Sequence, residues 1–406
     1  MPYPSSLKYS VSKLAVSKNS YKLIPSRTTG VSESEIVTVD LPTNAIVNLD
    51  SLFMSATIHC DNGLTGDANK LDLPRYAPMF EKIVVSIGGQ SLHSCNYLGH
   101  VQTMLNQLAS TADQRAAKYP FENAAPVTAP TTHVAERLIV TEFMGFLATA
   151  NPRLLDTGLL PGPIQLHFHL SNGRSLVAGH ASTVVPKFTL SDLYFGIDTI
   201  SIDNAEYYQL YDNYLSKSGN VLNVVFNQFY TSLHSTTTQN QSARFSLNTN
   251  SLDMVACTFL SNKHNQLSLV NTTSGTSEYF TRIGGVDNFN ISINNINFPV
   301  WSASDSDAYQ MSRMAFKKMG SVEPECKTGA NWSSPYWVAA YDFTLPTMAD
   351  GENWVSGINT LNTNCSVTFT TTGTKTDANG LAHALIVAKT SSILRVGAQR
   401  QIEVIN

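Results

Sequence analysis

The chain has 406 residues, enough for two domains of ordinary size rather than one core. Apolar residues make up 42% but charged residues only 14%, against about 25% in a typical globular domain; Ser, Thr and Asn fill the difference, giving an uncharged polar surface suited to burial against copies of itself. The net charge of −4 is split: residues 1–30 carry Lys8, Lys13, Lys18, Lys22 and Arg27 with no acid, and the rest has 21 bases against 30 acids, a −9 body that excludes wrapping of nucleic acid, which needs clustered cations.

The first elements after this basic arm, residues 1–34, read as strands. "EIVTVDLPTNAIVNLDSLFMSATIHC" (35–60) and "FEKIVVSIGG" (80–89) are β-rich runs bounded by Pro, Gly, Asn or Asp. "YLGHVQTMLNQLASTADQRAA" then reads as a helix, with Leu98, Val101, Met104, Leu105 and Leu108 on one face. "ERLIVTEFMGFL" (136–147) and "PIQLHFHL" (163–170) return to the strand pattern, and so do "NVLNVVFNQFYTSL" (220–233) and "NFNISINNINFPV" (288–300) in the second half. "SDSDAYQMSRMAFKKMG" is the other helix, with Ser304 or Asp305 as N-cap and Asp307 in its first turn. "YWVAAYDFTL" (336–345), "CSVTFTTTG" (365–373) and "HALIVAKTSSILRV" (383–396) complete the strand-like runs.

The order of these pieces repeats. Ser86-Ile87-Gly88-Gly89 precedes one helix and Ser292-Ile293-Asn294-Asn295 the other; Ile139-Val140 lines up with Val338-Ala339, Gly158 with Gly357, and His180 with His383, all at offsets of 199–206. Such a register implies two copies of one β-unit. Gly88-Gly89 lacks the Lys-Ser/Thr or G-x-G-x-x-G context of a phosphate loop. A two-residue hairpin turn needs positive φ, which Gly and Asn both tolerate, so Gly88, Gly89, Asn294 and Asn295 are assigned to hairpins. Eight short strands per half with long excursions suggest an all-β fold of two tandem eight-stranded jelly rolls, a double jelly roll, spanning 35–196 and 197–406, with a few short helices between strands.

Candidate chemistry is sparse. Cys60, Cys95, Cys257, Cys326 and Cys365 form no C-x-x-C pair, which argues against a disulfide framework and a zinc module. No N-terminal apolar core resembles a signal peptide, so the N-x-S/T sequons are discounted as glycosylation sites. No run reaches the roughly 18 apolar residues of a membrane span. His167 and His169 share one face of a strand, as a metal clamp requires, but no acid follows until Asp192. His59 beside Cys60 points to opposite faces, Asp305 and Asp307 suit a helix start, and Tyr207, Tyr208, Tyr211 and Tyr214 lie among acids rather than cations. No catalytic residue, metal site or cofactor is assigned.

The stretch "FEKIVVSIGGQSLHSCNYLGHVQTML" resembles the first-domain segment of double jelly-roll major capsid proteins of tailless icosahedral DNA viruses, the lineage of adenovirus hexon, tectiviruses, polinton-like viruses and large DNA viruses. "LLDTGLLPGPIQLHFHLS" (154–171), "FTLPTMADGENWVSGINTLNTNCSVTFTT" (343–371) and "LIVAKTSSILRVGAQ" (385–399) are similar to later segments of that family, in order and across both halves. The last match is approximate, because Gly397 comes one position early. The resemblance implies a non-enzymatic virion protein forming homotrimers, whose six jelly rolls make a pseudo-hexagonal capsomer that tiles the capsid. It also implies neighbouring capsomers, penton and minor capsid proteins as partners. The arm with Lys8, Lys13, Lys18, Lys22 and Arg27 would reach a neighbouring capsomer or an internal membrane. The rival on a related architecture is a metal-dependent bicupin using His167 and His169.

Overall fold

A computed structural model describes residues 16–61, 70–71, 79–109, 127–128, 133–172, 177–179, 187–202, 216, 221–235, 240–260, 282–283, 287–317, 337–344, 357–363, 365–370, 376–377, 380–381, 383–397 and 400–406. In the first half these residues form β1 (Val16–Leu23), β2 (Ile36–Asp40), β3 (Ile46–Asp61), β4 (Phe80–Ile87), β5 (Gln90–Asn96), α1 (Leu98–Ala109), β6 (His133–Val140), α2 (Phe146–Thr149), β7 (Leu154–Asp156), β8 (Ile164–Leu170) and β9 (Lys187–Ile202). In the second half they form β10 (Val221–Ser235), β11 (Asn240–Phe245), β12 (Leu252–Leu260), β13 (Asn288–Ile293), β14 (Ile296–Ala303), α3 (Asp305–Lys317), β15 (Ala339–Asp342), β16 (Cys365–Thr370), β17 (His383–Gly397) and β18 (Ile402–Ile405).

Each half is a sandwich of two antiparallel sheets. The first pairs β1-β9-β3-β7, with β6 also on β3, against β2-β8-β4-β5. The second pairs β10-β17-β12, with β15 on β12 and β18 on β17, against β11-β16-β13-β14. In both, the first strand pairs the long closing strand, β9 or β17, and a tight hairpin makes the far edge of the four-stranded sheet. This is one jelly roll drawn twice. Alternation explains the sheets: in β8, Ile164, Leu166, Phe168 and Leu170 are buried while Gln165, His167 and His169 are only half-buried. Phe168 packs against Phe80 and stacks on Phe195, each ring pair at 5.3 Å; Phe259 and Trp337 stack at 5.3 Å in the other roll, and the indole N–H donates to Asp305 at 2.6 Å.

The strands correct the expected boundaries. β1 pairs residue for residue with β9, Val16 opposite Ile202 and Leu23 opposite Phe195. Residues 16–34 therefore belong to the first roll rather than to a separate arm, and a cut at 196/197 falls inside β9. A jelly roll closes its sheet by laying its first strand on its last, which draws in the N-terminal segment. The run 136–147 also divides: β6 ends at Val140, and α2 begins at Phe146. β9 and β12 lie outside the expected runs. β12 is buried at every position, so it shows no alternation to read.

The internal repeat needs a shift of register in its later part. His180, set against His383 in the sequence, lies outside the described residues. Two buried threonines mark the better equivalence. Thr157 Oγ1 accepts from Ala45 N–H at 3.1 Å, and Thr360 Oγ1 accepts from Thr249 N–H at 3.2 Å, each closing the loop that leads into the third strand of its roll.

Candidate assembly surface

The two rolls join along one seam. On the first roll it is built from β5, α1, α2 and the segment through Arg153; on the second, from β10, which meets β5 and α2, and from α3, which meets α1. Phe146 of α2 meets Phe226 of β10 edge-on at 5.1 Å, and both rings are fully buried. Backbone bonds flank this contact: Asn151 N–H donates to Val225 O at 2.8 Å, and Val225 N–H returns to Asn151 O at 3.2 Å. Asn227 N–H donates to Thr149 Oγ1 at 2.8 Å, while the Thr149 hydroxyl donates to Gly145 O at 2.8 Å. Farther along β10, the Thr231 hydroxyl donates to Asn96 O at 3.0 Å. The seam combines an aromatic core with ordered backbone pairing, as a permanent interface does.

Beside it is a cavity of about 370 Å³, lined by Leu49, Gln102, Phe143, Gly145 and Arg153 of the first roll and Phe229 of the second. Arg153 spans its rim, with Nε 2.6 Å from Asp50 Oδ1 and Nη1 donating to Leu147 O at 2.9 Å. Gly145 takes φ +64, and a Cβ there would collide with the His93 ring. His93 is buried, neither ring nitrogen has a hydrogen-bond partner among the described residues, and burial lowers its pKa to about 4. An uncharged imidazole thus fills the space beneath the segment leading into α2. Sequence reasoning passed over His93 and Gly145, since a lone His in a strand and a lone Gly in a loop carry no local signal.

Gly88 and Gly89 have φ +55 and +84, with Ile87 opposite Gln90; Asn294 and Asn295 have φ +51 and +66, with Ile293 opposite Ile296. Both connections are two-residue hairpins with positive φ at each central position, the type I′ requirement. Of the five basic residues of the N-terminal segment, Lys8 and Lys13 lie outside the described residues. Lys18 and Lys22 lie on β1: Lys18 Nζ is 2.6 Å from Asp198 Oδ2, and Lys22 Nζ sits 4.4 Å above the centre of the Tyr194 ring. Arg27 pairs with Glu35 at 2.8 Å.

His167 and His169 are on the outer face of the four-stranded sheet. His167 Nδ1 is 3.2 Å from the Thr38 hydroxyl. The cross-strand neighbours of the pair are Thr38, Val84, Ile36 and Lys82, so a cation stands where a third metal ligand would be needed. Partial burial, Lys82 and His167 lower the pKa of His169. No group of three or more His, Cys, Asp or Glu able to hold a metal occurs among the described residues. Cys95 and Cys257 are buried with thiol pKa values pushed up to about 12, so neither is poised as a nucleophile. His59 is bound to Ser191 at 2.7 Å, and the Cys60 side chain, Cys326 and the tyrosines at 207–214 lie outside the described residues. Asp307 caps α3: its carboxylate accepts from Ser304 N–H at 3.0 Å, and its own N–H donates to Ser304 Oγ at 3.3 Å.

Neither a family model nor a curated protein matches the chain by sequence. Solved structures do match by shape. Superposition on the PBCV-1 protein VP54, as fitted into the virophage Sputnik, gives a TM-score of 0.64 at 15% identity and covers 97% of each chain. The Faustovirus major capsid protein gives 0.66 at 8% identity, over 94% of this chain and 90% of that one. The fold is the double jelly roll of viral major capsid proteins. The mavirus major capsid protein shares it with a TM-score of 0.52 at 12% identity, over all of this chain and 91% of its own. At these identities the likeness is one of architecture, carried by the double jelly roll as a whole rather than by any one motif.

Proposed function

We propose that the chain is a major capsid protein that self-assembles into homotrimeric, pseudo-hexagonal capsomers tiling an icosahedral virion. The observation that carries this reading is end-to-end agreement of both rolls with capsid proteins, 97% of the chain in one case. The low charge fits a surface made to be covered. On this reading the partners are neighbouring capsomers and the penton and minor capsid proteins. Residues 1–15, with Lys8 and Lys13, form the arm toward a neighbour or an internal membrane, and the protein resides in the virion after assembly in the host cell. The bicupin alternative lacks support from the site, where Lys82 flanks His169.

The test is solution mass by light scattering, with metal analysis on the same sample. A particle of three 44.3 kDa chains, 132.9 kDa and free of metal, is expected. A monomer with stoichiometric manganese, iron or zinc would replace the capsid reading with the bicupin.

A further inference from the structure

The pocket beside the seam has room, at about 370 Å³, for about 12 waters of roughly 30 Å³ each. Its apolar wall is drawn from both rolls. Leu49, Leu105, Met144 and Leu147 come from the first and Phe229 from the second, and all five are buried. Asp50 and Ala148, also in the lining, are exposed and mark its mouth.

The walls are held by bonds rather than by loose side chains. Gln102 Nε2 donates to Glu142 O at 3.0 Å, which fixes α1 against the segment leading into α2. Thr149 is bonded on one side to Gly145 O and on the other to Asn227 N–H of the second roll. The space is therefore preformed, at a junction of two domains, where small-molecule sites commonly lie.

Arg153 supplies the polar end. A guanidinium has five N–H groups. Nε–H goes to Asp50 Oδ1 at 2.6 Å and one N–H of Nη1 to Leu147 O at 2.9 Å. The other N–H of Nη1 and both of Nη2 have no acceptor among the described residues. Asp50 already balances the charge of Arg153, and Glu142 adds a second acid to the lining. Donors are left over, but positive charge is not. A carboxylate head would meet two acids, and an ammonium head has no lone pair to offer Arg153. A neutral oxygen meets both conditions.

We infer that this pocket binds a neutral amphiphile, a chain of about eight to twelve atoms whose hydroxyl or ester oxygen accepts from Arg153. The chain lies between Leu105 and Leu147 of one roll and Phe229 of the other, so the bound molecule adds apolar contact across the seam. A free alcohol and a lipid ester share this chemistry. All of the lining belongs to one chain, so the site is complete whether or not the protein is trimeric.

Isothermal titration of the full-length protein tests it, with 1-octanol, 1-octanoylglycerol, octanoate and octylamine as probes, each below its micellar concentration. Saturable binding at one site per chain is expected for octanol or octanoylglycerol, with Kd on the order of 0.1 mM. The tighter of these two names the source, and octanoate and octylamine should bind at least about tenfold more weakly. Ala148→Trp, which plugs the mouth, should abolish binding. Arg153→Met, which removes the donors and keeps an apolar stem, should weaken it about tenfold. Both variants are first checked for parental far-UV circular dichroism and parental mass. Absence of saturable binding to the parent overturns the site, and so does unchanged binding to either folded variant. Octanoate or octylamine as the tightest probe overturns the neutral head group. Should one variant fail to fold, the order of the four probes on the parent and the other variant still decide.

Discussion

Replacing Gly145 with Ala tests whether the seam depends on one close approach. Two costs add. A non-glycine residue at φ +64 and ψ −135, a region that essentially only glycine adopts, loses roughly 1–3 kcal/mol. The new methyl also meets the ring of His93, which is 1% exposed and walled by packed neighbours, and overpacking of this kind costs about 1–3 kcal/mol. Together the loss is about 2–6 kcal/mol, which for a roll of this size lowers the apparent Tm by on the order of 10 °C. Scanning calorimetry at fixed protein concentration and scan rate reads it, since assembly and irreversible unfolding both move Tm. The double variant H93A/G145A separates the two costs. It removes the ring that the methyl strikes, so the two changes should couple favourably by about 1–3 kcal/mol, leaving the backbone penalty. A Gly145→Ala protein within about 1 °C of the parent, or a double variant in which the losses simply add, would refute the close-packing argument.

His93 also predicts an acid dependence. Its pKa is about 4 in the folded state against 6.5 in the unfolded chain, so between these values the unfolded chain takes up a proton that the fold refuses. Stability therefore falls as pH drops from 6.5 toward 4, by about 3 kcal/mol in all, and the loss should be absent from His93→Leu; an identical acid slope in denaturant titrations of both proteins would contradict this. Thr157→Val and Thr360→Val each strand a backbone N–H and should each cost about 1–3 kcal/mol in the same titrations, with a change under about 0.5 kcal/mol excluding the shared role. Deleting residues 1–15 should leave the trimer and its Tm unchanged but impair closed shells in electron micrographs, and normal shells from that protein would end the assembly role of the arm. Deleting residues 1–30 is a different experiment, because it strips β1 from β9.

What the sequence determined by itself was local or repeated. The hairpins at Gly88-Gly89 and Asn294-Asn295 follow from the φ values that only such residues take readily, and α3 starts where Ser304 and Asp307 can cap it. β8 alternates because one face meets the core and the other does not. Two copies in one order, with eight strand-like runs in each, were enough for the double jelly roll. Tertiary structure decided the rest. β12 forms where long-range pairing overrides the missing period, and the N-terminal segment becomes a strand because β9 offers it an edge. His93 matters only because Gly145, distant in sequence, is laid across it. Val300 and Trp301 read in sequence like core-facing β residues, yet both are exposed, because β14 slips its register against β13 between Phe298 and Ala303. Burial is a property of what the rest of the chain, or the next copy, places against a residue, and a local pattern carries no record of that partner.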